Sequence, residues 1–364
     1  MEAKDPMRET RERQAQPAEG AAPASAAKAL SLSIVVVSWN GGALVPDLLA
    51  AIDAQTLPAL QLVWVDNAST DDSVAQLRAW RPRPGIAVAE VLLPENRGVA
   101  GGRVAGIQAA SGSALGFLDV DSVPAPTWGE EALRCLAARP RVGVLASWVL
   151  LPDGRLNGFG ARLDTWGHGR DDGYGAMPGS PAAPAPTAGP TGYAMGCGMV
   201  VRAAVAHALE LDPTPIKWHD DSEVALQAQA LGYAVWREPS LVVVHHKGQS
   251  DAALARGEGP RPRGGERLYL AERARARLLL KYAPWPLVAA NGLRDAWTAA
   301  RSIRQPEVAW ALIRAHGWNA LHAKSALEYR QRWASAVGWA LGGPGGGDTG
   351  KGATKSDAGR EREP

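Results

Sequence analysis

The sequence predicts an α/β fold: a mostly parallel central sheet flanked by helices, with a helical C-terminal extension. Three observations predict it. Short apolar runs rich in Val, Ile and Leu alternate with stretches of helical periodicity over residues 32–118, the rhythm of βαβ units. Three of those runs end in polar side chains, Ser38-Trp39-Asn40, Asp66-Asn67 and Asp119/Asp121, and open parallel sheets bind ligands beyond the carboxyl ends of their strands. Residues 291–339 then become helical in pattern and rich in Trp.

The elements follow in order. Residues 32–37 are an unbroken apolar, β-branched run, as a strand buried on both faces requires. Val45, Leu48, Leu49 and Ile52 mark one face of a helix. Residues 62–65 form a second strand ending at Asp66, and Ser69-Thr70-Asp71-Asp72 is a capping cluster that opens a second helix through Val74, Leu77 and Arg78. Residues 86–93 give a third strand. A Gly-rich turn and a helix through Ile107 lead to a fourth at residues 114–118. Residues 171–192, dense in Pro, Ala and Gly, are a long irregular loop of the kind that forms lids or binding loops. Asp220 and Glu223 have capping-box spacing at the start of a helix that stops at Gly232, and residues 241–244 are a strand that delivers His245 and His246.

Composition bounds the function. The 364 residues are 46% hydrophobic and 21% charged, with a net charge of +2, so nothing points to a nucleic-acid partner. Two cysteines, Cys135 and Cys197, make no disulfide framework and suggest a reducing compartment. No apolar run reaches the length of about 18 residues that marks a membrane span. The N-terminal stretch lacks the apolar segment of a secretory signal. The organisation expected is a disordered arm over residues 1–30, a catalytic domain over 31–285, a Trp-rich helical extension over 286–341, and a disordered tail over 342–364. The basic residues of the extension outnumber its acids. It reads either as a peripheral membrane contact or as helices packed on the domain with an ordinary polar outer face.

Several residues carry chemistry. Asp119 and Asp121 place two hard oxygen donors on one face of an extended strand end, suited to Mg²⁺ or Mn²⁺ with a substrate diphosphate; the other reading is that both cap the turn at Pro124. Asp66 is placed to accept hydrogen bonds from a ribose or base, or to make a turn with Asn67 and Ser69. The segment Asn96-Arg97-Gly98 through Arg103 leads into a helix, whose N–H groups with a nearby Arg can hold phosphate; a tight, closely packed turn is the alternative. Its glycine spacing is not that of a dinucleotide fingerprint. If Asp220 caps its helix, Asp221 projects free. It is then either a general base or a partner of the helix dipole. Of His245 and His246, at most one faces a metal shared with Asp121.

Together these segments resemble family-two glycosyltransferases of the GT-A fold. Val35-Val36-Val37-Ser38-Trp39-Asn40 looks like the first strand of that family. Val65-Asp66-Asn67-Ala68-Ser69-Thr70-Asp71-Asp72-Ser73 is close to its nucleotide-binding motif. Asn96-Arg97-Gly98 through Ile107 resembles its Gly-rich segment, and Leu118-Asp119-Val120-Asp121 its D-x-D-like element. Gly196-Cys197-Gly198-Met199-Val200-Val201-Arg202 looks like its acceptor-side segment, Asp220-Asp221-Ser222-Glu223 like its acidic pair, and the segment from His245 to Ser250 like its late histidine element. The nearest branch is that of rhamnosyltransferases and other makers of surface polysaccharide. Val104 and Ala274 stand where many members have Asn.

The resemblance implies a hexosyl- or deoxyhexosyl-transferase working by single displacement with inversion. Residues 31–125 would hold the nucleotide-diphosphate sugar, UDP- or dTDP-linked, and residues 126–285 the acceptor, a glycan, a lipid-linked molecule or a small molecule. Ser38, Trp39, Asn40, Asp66, Asn96, Gly98, Arg103, Asp119, Gly196 and Asp220 would contact substrates. Asp121 and His245 would hold Mn²⁺ or Mg²⁺, and Asp221 would be the base. The expected setting is cytoplasmic, including the inner face of the cell membrane. Two other readings are a nucleotidyltransferase, which would release pyrophosphate, and a non-catalytic nucleotide-sugar-binding relative.

Overall fold

The computed structural model describes residues 30–214, 218–246 and 264–337. The arm expected before residue 30, the tail expected from residue 342, Trp339, and residues 247–250 of the late histidine motif lie outside the described residues.

Leu32–Ser38 (β1) and Leu60–Asp66 (β2) are buried on both faces, which is why their runs are apolar without alternation. Ile86–Leu92 (β3) forms one edge of the sheet, and Ala114–Asp119 (β4) returns to the far side of β1. All four run parallel, with Ser38 beside Asp66 and Val37 beside Asp119. Chain order therefore runs outward from β1 to β3 and then reverses across β1. Such a switch point opens a crevice at the carboxyl ends of the strands.

The helices between these strands follow the predicted stripes. Val45–Asp53 (α1) buries Val45, Leu48, Leu49 and Ile52. Ser73–Ala79 (α2) is entered through Asp71, whose carboxylate accepts from the Ser73 hydroxyl at 2.6 Å and the Ser73 N–H at 3.1 Å. Gly98–Ala109 (α3) lies close on the sheet because it is stippled with glycine: a Cβ at Gly102 or Gly106 would overlap the side chains of Val37 and Val35.

The second half widens the same sheet. Ser122–Pro124 (β5), Trp128–Ala138 (α4), Val142–Leu150 (β6), Leu156–Phe159 (β7), Ala161–Leu163 (β8), Gly169–Asp171 (β9), Gly189–Pro190 (β10), Met199–Arg202 (β11), Ala203–Ala206 (α5), Asp220–Ala230 (α6) and Ala234–His245 (β12) follow in order. Among the described residues the sheet runs β10-β12-β6-β11-β4-β1-β2-β3, with β5 paired to β12 and β7 to β6. β11 is antiparallel to both neighbours, and β12 is parallel to β6. The 171–192 stretch is irregular apart from Asp171, which ends β9, and the two residues of β10. Both cysteines are free and buried.

Among the described residues four α-helices follow: Gly264–Tyr282 (α7), Trp285–Arg301 (α8), Pro306–Leu321 (α9) and Ala323–Trp333 (α10). Among the described residues no helix is long and apolar enough to cross a membrane. The chemistry of α7 is unusual, because Arg273, Arg275, Arg277 and Lys281 are all buried. Burying a cation is costly unless it is paired and hydrogen-bonded. Lys281 pairs with Glu223 of α6 and, at 3.3 Å, with Asp212. Arg277 meets Asp212 at 2.5 Å and the Ser325 hydroxyl at 3.0 Å. Arg275 pairs with Asp295 and Glu272 and donates to the Asn291 side-chain oxygen at 3.0 Å. Arg273 lies over the Trp318 ring at 4.5 Å. These charges dock the extension onto the sheet domain, and the dominant anchor reaches α6.

Replacing Lys281 by Met should therefore strand a buried carboxylate at Glu223 and cost about 3–5 kcal/mol of stability, read from urea unfolding. The exposed Arg78–Glu90 pair on α2 and β3 provides the control: Arg78→Ala should leave the midpoint unmoved.

Candidate functional site

The site is built at the carboxyl end of β4. Asp119 closes that strand and Asp121 sits in the turn that follows. The chain does not remain extended here, as the sequence pattern suggested; a turn rather than strand alternation brings the two carboxylates together. β12 then runs antiparallel to β5 with His245 opposite Ser122, and this register delivers the imidazole. Its Nε2 lies 3.2 Å from Asp121 Oδ1, and the His246 N–H donates to the Asp121 carbonyl at 2.8 Å. Asp119, Asp121 and His245 each offer a ligand atom within 4.8 Å of the others. On the far side of the ring, Nδ1 lies 3.2 Å from Asn157 Oδ1. With Nδ1 donating to that oxygen, Nε2 is the atom left to bind a cation.

Two carboxylates and one imidazole fit a divalent cation of the Mg²⁺ or Mn²⁺ kind, with substrate oxygens completing the shell. Burial raises the Asp119 carboxyl and outweighs the opposing pull of Arg103, while Asp121 adds repulsion. Burial works against the His245 imidazolium, but the neighbouring Cys197 and Asp121 hold it above the usual histidine range. The Cys197 thiol is itself pushed up by burial, so the carboxylate of Asp121 is the charge that holds the imidazolium. Protonated His245 thus occupies the place beside Asp121 where a cation fits.

Beside this cluster lies a group of polar side chains at the ends of β1 and β2. Ser38 Oγ and Asp66 Oδ1 are buried and, among the described residues, have no hydrogen-bond partner. The other Asp66 oxygen accepts from the Ser69 N–H at 3.0 Å. Asn40, at φ 51°, accepts from the Thr70 N–H at 2.8 Å and donates its own N–H to Ser69 Oγ at 3.0 Å. Trp39 is exposed at the same strand end. Asn96 and Gly98 shape the turn into α3: Asn96 Oδ1 accepts from the Asn67 amide at 2.9 Å and from the Gly98 N–H at 2.8 Å, and Gly98 has a φ of 68°.

Arg103 is engaged by protein groups. It is buried, pairs with the Asp220 carboxylate, donates to the Gly196 carbonyl at 3.0 Å and lies 3.7 Å from Asp119. Gly196 is required there, since a Cβ would overlap the guanidinium. The capping box expected of Asp220 and Glu223 does not form. His219, at φ 65°, precedes the first helical turn without a side-chain cap, while Asp220 turns to Arg103 and Glu223 to Lys281. Asp221, between them, accepts from the Ser222 N–H at 2.7 Å. Burial first, then the charge of Asp220, raises its carboxyl to about 7, against the pull of Arg103. Asp171, at the end of β9, adds to that repulsion. Sequence reasoning did not single out Asn157, Asp171 or the cations of α7. Each acquires its place from strand pairing or packing, and no local pattern marks it.

Residues 33–207 match the family described as Glycosyl transferase family 2. Among solved structures, GalNAc-T7 with UDP, GalNAc and Mn²⁺ superposes with a TM-score of 0.53 at 15% identity, over 77% of this chain and 52% of that one. The chain thus spans about half the length of that relative. The mannosyltransferase PcManGT from Pyrobaculum calidifontis, in complex with GDP-Man and Mn²⁺, gives a TM-score of 0.48 at 18% identity, over 90% and 91% of the two chains. TarS 1-349 from S. aureus with UDP-GlcNAc gives 0.47 at 16% identity, over 84% and 79%. No curated protein matches the sequence. The fold is that of GT-A glycosyltransferases.

Partners that orient a ligating histidine typically change metal affinity about 10–100-fold. Asn157→Leu should weaken Mn²⁺ binding by that factor in titration calorimetry, with the melting temperature as a control for folding. Unchanged affinity would remove Asn157 from the site.

Proposed function

We propose that the chain is an inverting glycosyltransferase that moves a hexosyl or deoxyhexosyl unit from a UDP- or dTDP-linked donor to an acceptor hydroxyl. The observation that carries this reading is the joint held by Arg103, which ties the strand-end acid cluster to the first turn of α6. A carboxylate raised to about 7 is thereby placed in the same site as a cation-binding set. General bases work best when their pKa lies near the operating pH.

In this reading the unsatisfied Ser38 Oγ and Asp66 Oδ1 receive polar groups of the nucleoside, and exposed Trp39 offers its ring nearby. Asn40, Asn96 and Gly98 hold the loops at these strand ends. Arg103, Gly196 and Asp220 set the spacing of the donor and acceptor sides. Asp119, Asp121 and His245 hold the divalent cation, which supplies positive charge for the departing diphosphate. Asp221 takes the proton from the acceptor hydroxyl. The acceptor oxygen then bonds to the anomeric carbon as its bond to the diphosphate oxygen breaks, and a nucleoside diphosphate leaves. Attack opposite the leaving group inverts the anomeric centre. GalNAc-T7 was solved with UDP and Mn²⁺, ligands of the class this site suits. We place the reaction in the cytoplasm, in surface polysaccharide or glycoconjugate synthesis of the rhamnosyltransferase kind, with a glycan, lipid-linked or small-molecule acceptor.

Asp221→Asn should lower turnover by about 10²–10⁴-fold while nucleotide affinity, measured by calorimetry, stays unchanged. Lost binding or retained turnover would overturn the assignment. Because the base acts when deprotonated, kcat/KM should rise about tenfold per pH unit below 7 and level off above it, and Asp221→Asn should lack that limb. A thermal-shift panel of UDP-, dTDP- and GDP-sugars identifies the donor, since a ligand bound by the folded state alone raises the melting point. Release of pyrophosphate instead of a nucleoside diphosphate would assign a nucleotidyltransferase. Donor binding without any turnover in Mn²⁺ would assign a non-catalytic relative.

A further inference from the structure

The helical extension sorts its tryptophans into two groups. Trp333 is buried, and Trp318 lies inward, stacked on His322 at 4.0 Å and over Arg273. Trp285, Trp297 and Trp310 instead point outward, each more than half exposed, together with Leu293, Ile313 and Leu321. Their spacing is ordered. On α8, Trp285, Ala289, Leu293 and Trp297 follow at four-residue intervals, and all are exposed. On α9, Trp310, Ile313, Gly317 and Leu321 do the same at three- and four-residue intervals. α8 buries the polar Asn291 and Asp295 and turns an apolar row outward, which inverts the usual amphipathic arrangement. α9 buries Ala311, Leu312, Ala315 and Asn319 on one side and carries a second apolar row on its exposed side. Exposed apolar surface of this extent marks an interaction face.

The charges at this face select the occupant. Asp295 is neutralised inside by Arg275 and lies 2.9 Å from His316 Nε2. Glu307 is then the exposed acid of α8, α9 and the turn between them, opposed by exposed Arg301 and Arg304, with Lys324 exposed at the start of α10. Arg301 lies over the Trp297 ring at 4.6 Å, so a cation sits at the border of the apolar row. Tryptophan rows edged by Arg and Lys suit the headgroup region of an anionic bilayer, where the rings enter the acyl boundary and the cations meet phosphates. Neither helix is long and apolar enough to span, so both would lie in the plane of the surface.

We propose that the outer face of α8 and α9 seats on an anionic lipid surface. The proposal stands on the extension alone and does not require the transferase reading. That reading, if correct, gains a site held at the surface where a lipid-linked acceptor would be presented.

The test uses the full chain in vesicle flotation, with phosphatidylcholine alone and with about one third phosphatidylglycerol. The chain should float with the anionic vesicles at low salt, with a blue-shifted tryptophan emission, and should be released by high salt. A variant carrying Leu293→Ser, Trp297→Ser, Ile313→Ser and Leu321→Ser changes only exposed positions and should bind at least about tenfold more weakly. Arg301→Gln with Arg304→Gln should remove the preference for phosphatidylglycerol. Thermal shift with a nucleotide sugar should be the same in both variants, which keeps lipid contact separate from donor binding. No flotation of the wild type, or equal flotation of the four-site variant, would overturn the proposal. So would a dimer in sedimentation velocity that the four-site variant dissolves, since the face would then belong to a second copy.

Discussion

The buried guanidinium of Arg103 is the contact on which the rest of the site depends. It comes from α3, in the first half of the sheet, and meets a carboxylate of α6, a carbonyl at Gly196 and the edge of Asp119. Three segments far apart in sequence are thereby placed by one rigid, planar group with several fixed donors. Removing it would leave Asp119 and Asp220 facing each other without a cation, in a part of the protein where water screens little. The glycines of α3 serve the same end. They let the helix lie near enough to β1 for the Arg103 side chain to reach across the sheet end.

α6 is held from a second side by Lys281. Asp220 and Glu223 are each satisfied by a cation from another element, while Asp221 between them is left with the Ser222 backbone and the repulsion of its neighbours. Burial is the first cause of the raised carboxyl of Asp221, the charge of Asp220 adds to it, and Arg103, engaged with Asp220, only partly opposes them. The same arrangement gives the extension a role in the site. Lys281 belongs to α7, so the helices after residue 264 set the orientation of the helix that carries Asp221, whatever they do at their outer face.

Local pattern and distant contact divide the legibility of this chain. The strands β1, β2 and β4 and the stripe of α1 could be read directly, because a buried strand and an amphipathic helix are each set by neighbours a few residues away. Asp119, Asp121 and His245 could be marked as candidates, since strand ends in parallel sheets are where ligands bind. The capping box at Asp220 could not be judged locally. Its spacing is correct, but Arg103 and Lys281, 117 and 58 residues away, compete for the same carboxylates and win. Asn157 and Asp171 were invisible for the same reason. The outward and inward tryptophans of α8 to α10 share one composition, and only packing on α7 separates them.

The charge of the site bears on how a diphosphate could enter it at all. Asp119, Asp121, Asp220 and Asp221 crowd one region, and among the described residues the cations paired with them are Arg103 and His245. Arg103 is engaged by Asp119 and Asp220, and its burial keeps it from turning toward a ligand. A nucleoside diphosphate would therefore meet carboxylates with no arginine or lysine free to receive it among the residues that form the cluster. A divalent cation held by Asp119, Asp121 and His245 would reverse that balance, since its charge would answer the acids already present and attract phosphate oxygens. On this account Asp119-Val120-Asp121 is less a phosphate-binding motif than the means of turning an anionic pocket into one that can hold an anionic donor. The burial of Arg103 as a structural joint is the reason that means is needed.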